Sequence, residues 1–270
     1  MSPWLESSGV ALLAAGGVLL GAWFSRLRKP YWLLGYFIPL LMIVVYAAAT
    51  RIPAFSFIPA ISWMMMGRIK FAIMGVIGSM VLTTPLLKLP NLRDRIAVSA
   101  LMVCVVAGTS VWPFLAPAFN RGALAGIVTR IDSDGICLQN TSYTCGPASA
   151  VTALRKLGFK AEEGELAILA HTTSATGTPP DVLALVLQEQ YAGKGLACEY
   201  RLFKNLDQLK ESGLTLAVIK FDIMTDHYVT VLKVTEREVA VGDPISGIVK
   251  LSHKEFKEKW RYAGIVMGRK

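Results

Sequence analysis

The residues best suited to chemistry lie in the second half of the chain. Cys145 stands in the run Gln139-Asn-Thr-Ser-Tyr-Thr-Cys145-Gly-Pro-Ala-Ser-Ala, at or just before the first turn of a helix whose Val151, Leu154 and Leu157 form an apolar stripe ending at Gly158. A helix N-terminus presents free N–H groups and the positive end of the helix dipole, and both favour a thiolate over a thiol. A thiol nucleophile also needs a base. The histidines on offer are His171, His227 and His253. His253 falls inside the capping box Ser252-x-x-Glu255 and reads as a solvated helix-start residue. His171 follows Ala170 at a helix end, where capping the helix or meeting its dipole is the expected role. His227 instead opens the strand His-Tyr-Val-Thr-Val-Leu-Lys-Val, which turns around Thr235-Glu236-Arg237 into Val239-Ala-Val-Gly-Asp243-Pro244.

A hairpin centred on Thr235 pairs Val229 with Val241 and sets His227 opposite Asp243. Directly opposed side chains have Cβ atoms ~5 Å apart, close enough for a carboxylate to fix the imidazole tautomer and favour its charged form. Acyl transfer further needs a donor for the developing oxyanion besides the Cys145 N–H, and the Gln139 amide, six residues upstream on the loop entering the helix, can fold back to supply it. Taken singly, each residue has a plain structural reading. Cys145 is then a small buried hydrophobe, His227 an ordinary strand-start residue beside an Asp-Pro turn, and Gln139 uninformative. The set in the order Gln, Cys, His, Asp is more specific than any member. Cys137 and Cys198 fall in expected strands as packing residues; outside the cytoplasm they have the option of pairing. Metal-ligand spacing is absent, so neither a metal nor another cofactor is expected.

Positioning these groups requires a full domain, and from Gly122 the composition becomes that of one. Strands are expected at Gly135–Leu138, Cys198–Leu202, Leu214–Phe221, His227–Val234, Glu238–Val241 and Gly247–Leu251. Helices are expected at Gly146–Leu157, Glu163–Ala170, Pro180–Glu189, Leu206–Glu211 and Lys254–Trp260. Helices first and hairpin-spaced strands later argue for an α+β domain over residues 122–270.

With these residues in view, the segment from about Gly135 to Gly268 resembles the papain-like cysteine peptidases that process bacteriocin and other double-glycine leader peptides. The likeness rests on Gln139 six before Cys145-Gly-Pro-Ala-Ser, on Gly177-Thr-Pro-Pro-Asp-Val-Leu, on His227-Tyr-Val-Thr-Val-Leu, on Gly242-Asp243-Pro244, and on Leu251-Ser-x-x-Glu-Phe-x-x-x-Trp260. It implies a papain-like fold with Cys145 as nucleophile, His227 as base and then acid, Asp243 as its orienter and Gln139 in the oxyanion hole. It implies a peptide or protein substrate with a double-glycine leader, cut after Gly-Gly. One departure is Thr144, where the family often has Asp before the nucleophile. Another is architectural: the best-known members precede a transporter and its ATPase, whereas here no G-x-x-x-x-G-K-[ST] motif occurs. An ABC-type export transporter would therefore be a separate chain. The rival from another class is a catalytically silent module that binds a leader peptide and presents it to such a transporter.

The first half obeys a different solvent. The chain is 53% hydrophobic and 17% charged, and residues 1–120 hold only nine of its 28 Lys and Arg and two of its 19 Asp and Glu. A mean hydropathy of +0.48 excludes a purely soluble protein. The net charge of +9 reflects loops beside apolar runs rather than a nucleic-acid footprint. A helix crossing a bilayer needs about 20 apolar residues. Uncharged runs at Ser7–Ser25, Pro30–Thr50, Phe71–Leu87 and Ile96–Asn120 give about four transmembrane helices within residues 1–121, with spans near 7–25, 30–50, 71–87 and 96–118. Ile52–Gly67, with Pro53 and Pro59, reads as re-entrant or interfacial, with a fifth span as the alternative. Glu6 before the first run argues against a cleaved signal, so the run stays as an anchor. Charges are expected in loops, which favours an anchor over a transport path. Cys104 is expected to pack within the last span, and Met64-Met65-Met66 to face lipid or core. Arg26, Arg28 and Lys29 place the first loop in the cytoplasm by the positive-inside rule, and four spans then put residues 122–270 outside a bacterial inner membrane.

Overall fold

The computed structural model describes residues 2–52, 68–86, 88–221 and 225–270, in two compact units, 1–119 and 120–270. Most of the run Ile52–Gly67, including Met64, Met65 and Met66, lies outside the described residues.

Among the described residues, four helices in the first half are long and apolar enough to cross a membrane: Pro3–Arg26, Tyr31–Ala48, Ile69–Leu86 and Leu92–Ala125. The first is α1. The second comprises a 3-10 turn and α2 (Leu34–Arg51), and the third is α3 (Ile69–Leu86). The fourth runs through α4 (Leu92–Val106), a π-helical turn at Ala107–Val111 and α5 (Trp112–Ala125). Cys104 is exposed on α4 rather than packed, because residues on that helix face outward where the apolar medium would lie. Charge also departs from the loops-only expectation. Glu6 sits in the first turn of α1, and its largely buried carboxylate is ion-paired with Arg68 Nη1 at 2.7 Å. The Arg68 guanidinium also lies over the Phe114 ring, 5.0 Å from its centroid. Pairing of this kind is what a charge needs among apolar groups.

The second unit is α+β. A short ribbon pairs β1 (Arg130–Ile131) with β2 (Cys137–Leu138). Three helices follow, α6 (Cys145–Lys156), α7 (Glu163–Leu169) and α8 (Pro180–Tyr191). Then come β3 (Leu196–Leu202), α9 (Leu206–Ser212), β4 (Thr215–Lys220), β5 (Asp226–Val234), β6 (Glu238–Asp243), β7 (Gly247–Ser252), α10 (His253–Lys259) and β8 (Trp260–Arg269). The main sheet runs β3-β8-β4-β5-β6-β7, every pairing antiparallel.

Its two faces feed two cores. In β4, Leu216 and Val218 join a cluster with Ala148, Val151 and Leu154 of α6 and Leu183 and Leu187 of α8. Their neighbours Ala217 and Ile219 join another with Leu209, Phe256 and Trp260. This is the period-two alternation of a sheet covered on both sides. α10 begins with the expected capping box, Ser252 and Glu255 bonding reciprocally. His253, the next residue, is half-buried, its Nε2 meeting the Thr235 carbonyl at 2.9 Å. α7 closes as expected around His171, which adopts a left-handed φ of 54° where glycine is usual. The His171 N–H bonds to Ile168 O and the Thr172 N–H to Ala167 O, the double closure of a Schellman end.

Candidate active site

Cys145 is the first residue of α6. The preceding Thr144 does not cap the helix with its side chain; its Oγ1 accepts instead from the Thr141 N–H at 3.2 Å. The first helical bond runs from Ala148 N–H to Thr144 O, and Pro147 has no N–H. The backbone donors of Cys145 and Gly146 are therefore the first-turn N–H groups beside the sulfur. Gly146 is needed there, since a Cβ on it would fall 2.8 Å from the Thr178 Cβ. Thr178 belongs to the Gly177-Thr-Pro-Pro segment, which is held to β5 by the Tyr228 hydroxyl donating to Thr178 O at 3.2 Å.

A pair of buried bonds fixes α6 against β5. Ser149 Oγ donates to Tyr228 O at 3.0 Å, and Thr230 Oγ1 donates to Ser149 O at 2.9 Å. Ser149 lies one turn beyond Cys145, and Tyr228 follows His227. The clamp thus sets the thiol against the imidazole.

His227 is buried, and its Nε2 lies 3.0 Å from Asp243 Oδ1. Because Nε2 is engaged with the carboxylate, Nδ1 is the nitrogen left to face Cys145, which acts on the ring electrostatically. Burial is the largest influence on the imidazole and pulls its pKa down. The bond to Asp243 and the influence of Cys145, together with the charges of both, outweigh it, and the pKa is raised to about 9. Burial likewise works against the Asp243 carboxylate, yet the bond from His227 and the backbone N–H groups of Ile245 and Ser246 hold its pKa below the usual value.

The pairing that brings the two together differs from the expected one. Val231 pairs with Val241 and Thr230 with Gly242, so His227 and Asp243 are diagonal rather than opposed. The turn is wider than a hairpin centred on Thr235, with Thr235 N–H bonded to Glu238 O, and a bulge between Val231 and Lys233 takes back one residue. The net slip is two residues. An even slip preserves the face, so the imidazole still reaches the carboxylate.

Gln139 is tied to the same corner by its N–H, which donates to the carbonyl of Pro244, next to Asp243, at 2.9 Å. Its Nε2 donates to Thr141 O at 2.8 Å, and its Oε1 is buried with no hydrogen-bond partner. One amide hydrogen remains for another acceptor. Sequence reasoning missed what steadies this loop. Buried Glu163, at the start of α7, accepts from the Asn140 N–H at 2.9 Å and from Asn140 Nδ2 at 2.5 Å. An acidic residue in a helix's first turn reads as a dipole partner, so its reach to a distant loop leaves no local signal.

Cys137 and Cys198 are both free thiols. Burial pushes each pKa up to about 12, the state of a packing residue rather than a nucleophile. Among the described residues no group of three His, Cys, Asp or Glu is placed to hold a metal ion.

Residues 134–270 match the model of the Peptidase C39 family. A protein of Methanothermobacter thermautotrophicus is 29% identical over 128 residues, covering 47% of this chain and 84% of its own. Among solved structures, a double glycine motif protease from an AMS/PCAT transporter in complex with the leader peptide aligns over 53% of this chain and 94% of its own, with 15% identity and a TM-score of 0.44. The peptidase domain of Streptococcus ComA, a bi-functional ABC transporter, aligns over 49% and 96%, with 20% identity and a TM-score of 0.41.

Proposed function

The chain belongs to the C39 peptidase family, and from that premise we propose that it is a membrane-anchored cysteine endopeptidase that cleaves a small exported polypeptide after a Gly-Gly pair ending its leader. The observation that carries the catalytic reading is His227, buried and bonded to Asp243 at 3.0 Å through one ring nitrogen, with Cys145 near enough to shift its charge state.

The chemistry follows from that arrangement. His227 Nδ1 takes the Cys145 proton while Nε2–H donates to Asp243, which steadies the imidazolium. The sulfur attacks the scissile carbonyl, and the oxyanion accepts from the Cys145 N–H and the spare Gln139 Nε2–H. As the tetrahedral adduct collapses, His227 gives its proton to the leaving amine, releasing the part of the substrate beyond the cut. A water then delivers its proton to His227 and its oxygen to the thioester, and the leader leaves as a carboxylic acid with the thiol restored.

The four apolar helices would anchor this domain in a bacterial inner membrane, and the loop carrying Arg26, Arg28 and Lys29 supports an extracytoplasmic peptidase unit by the positive-inside rule. An export transporter would be a separate chain. The test is limiting alkylation with iodoacetamide at mildly acidic pH, mapped by mass, together with cleavage of a Gly-Gly leader peptide. Preferential labelling of Cys145 over Cys137 and Cys198, reduced in His227→Ala, is the expected result, with cleavage abolished and binding kept in Cys145→Ala. Leader binding by the wild type without cleavage would instead identify a silent binding module.

A further inference from the structure

Phe221 closes β4's run into the site, and its environment does not fit a packing role. Its neighbours Val218 and Ile219 are buried, yet Phe221 is 62% exposed. Its backbone is pinned, the N–H donating to Thr225 O at 3.0 Å. Its ring lies against the His227 imidazole, with centroids 5.3 Å apart and planes at 44°. Ile245, another large exposed apolar residue, is tied to the other member of the dyad, its N–H donating to Asp243 Oδ1 at 2.8 Å.

Reaction geometry gives this position a meaning. An imidazole that protonates a leaving amine must come within about 3 Å of its nitrogen. That nitrogen belongs to the first substrate residue beyond the cut, whose Cα is one bond of about 1.5 Å further on. The side chain on that Cα therefore lies within reach of whatever lines the imidazole, and what lines it here is an exposed aromatic ring. Burying an apolar side chain against such a ring is favourable, whereas a carboxylate or hydroxyl placed there loses water without gaining a partner.

We propose that Phe221 forms the subsite for the residue immediately following the scissile bond and selects a large apolar side chain there. This rests on the peptidase reading above, and concerns the opposite side of the cut from the Gly-Gly pair.

The two can be tested separately with the full chain in detergent micelles. The probe is a set of peptides in which the two residues before the central bond and the one after it are varied independently, with kcat/KM read by mass spectrometry. The wild type is expected to cleave peptides with Leu or Phe after the cut about tenfold faster than those with Ser or Asp, the range a single apolar pocket supplies. In Phe221→Ala that ratio should fall below about threefold. Phe221→Leu should keep the preference, separating loss of an apolar wall from disturbance of His227. An unchanged ratio in Phe221→Ala, or none in the wild type, overturns the subsite whatever the selectivity before the cut. Cleavage that ignores Gly-Gly overturns the leader reading alone. No cleavage of any peptide overturns both.

Discussion

At the scale of single residues, the site's behaviour turns on one proton. Burial of His227 favours the neutral ring, while Asp243 and Cys145 together favour the charged one strongly enough to raise its pKa from 6.5 to about 9. A folded pKa above the unfolded value contributes stability that is fully present below 6.5 and lost as pH rises through about 9. In the proposed mechanism the same proton is the one handed to the leaving amine, so the alkaline limb of kcat/KM is expected near pH 9. Asp243→Ala removes both the acceptor and the charge, so the limb should move towards neutrality and kcat should fall roughly 10²-fold or more. A pH-rate profile of the two proteins checks the sign, and an alkaline limb unmoved in the variant would mean that His227 is not the group being titrated. Gln139 makes a different demand. If its spare amide hydrogen meets the oxyanion, Gln139→Ala should lower kcat about 10²-fold with little change in KM, because the bond exists only in the transition state. A rise in KM at constant kcat would assign the side chain to substrate binding.

At the scale of elements, the site is a matter of holding α6 against β5. Ser149 and Thr230 do this with two buried bonds, and Ser149→Ala removes the donor that Tyr228 O accepts from. The expected cost is about 1–3 kcal/mol in stability. Displacement of the thiol relative to the imidazole should also slow catalysis, up to about 10²-fold for a shift near 1 Å. Chemical denaturation and kcat measured on one preparation would separate the two, and a stable variant with full kcat would show that the clamp does not set the geometry. Cys145, His227 and Asp243 were legible because each stands at an element end marked by local signals: a helix start, a strand start and an Asp-Pro turn. Their register was not, since a bulge between Val231 and Lys233 leaves no mark in the hydrophobic alternation. β8 escaped notice altogether, though it lies between β3 and β4 in the sheet. Gly264 and Gly268 interrupt its pattern, and glycine weakens the appearance of a strand. Yet Gly264 is there because the sheet requires it: a Cβ would sit 2.7 Å from Leu216 O. The feature that obscures the strand in the sequence is the one that admits it to the sheet.

At the scale of the whole molecule, the proposed function turns on which side of a membrane the peptidase unit would face. If the four helices of spanning length among the described residues all cross, they would return the chain to the side on which it began. With Arg26, Arg28 and Lys29 inside, as proposed, that side would be the exterior. A leader peptidase there would meet its substrate during or after export, not before it. The number of crossings is the whole of the argument, because one more in the run Ile52–Gly67 would reverse it. Lys254, exposed at the start of α10 in the second unit, offers a direct reading of that parity. In a Cys104→Ser, Cys145→Ala background, Lys254→Cys should react with a membrane-impermeant maleimide added to intact cells, to the same extent as after the cells are lysed. Reaction only after lysis would mean an odd number of crossings, a cytoplasmic peptidase and a substrate cut before it leaves the cell. The Glu6–Arg68 pair in the first unit bears on the same issue, since its carboxylate and guanidinium are bound at 2.7 Å and buried. Breaking one partner of a buried pair strands the other charge, typically at a cost of about 3–5 kcal/mol. Glu6→Gln should therefore lower the yield of membrane-inserted protein, whereas Glu6→Gln combined with Arg68→Met should restore much of it. Recovery in the double variant, with the maleimide pattern unchanged, would tie the ion pair to the packing of the helices rather than to the direction in which they are threaded.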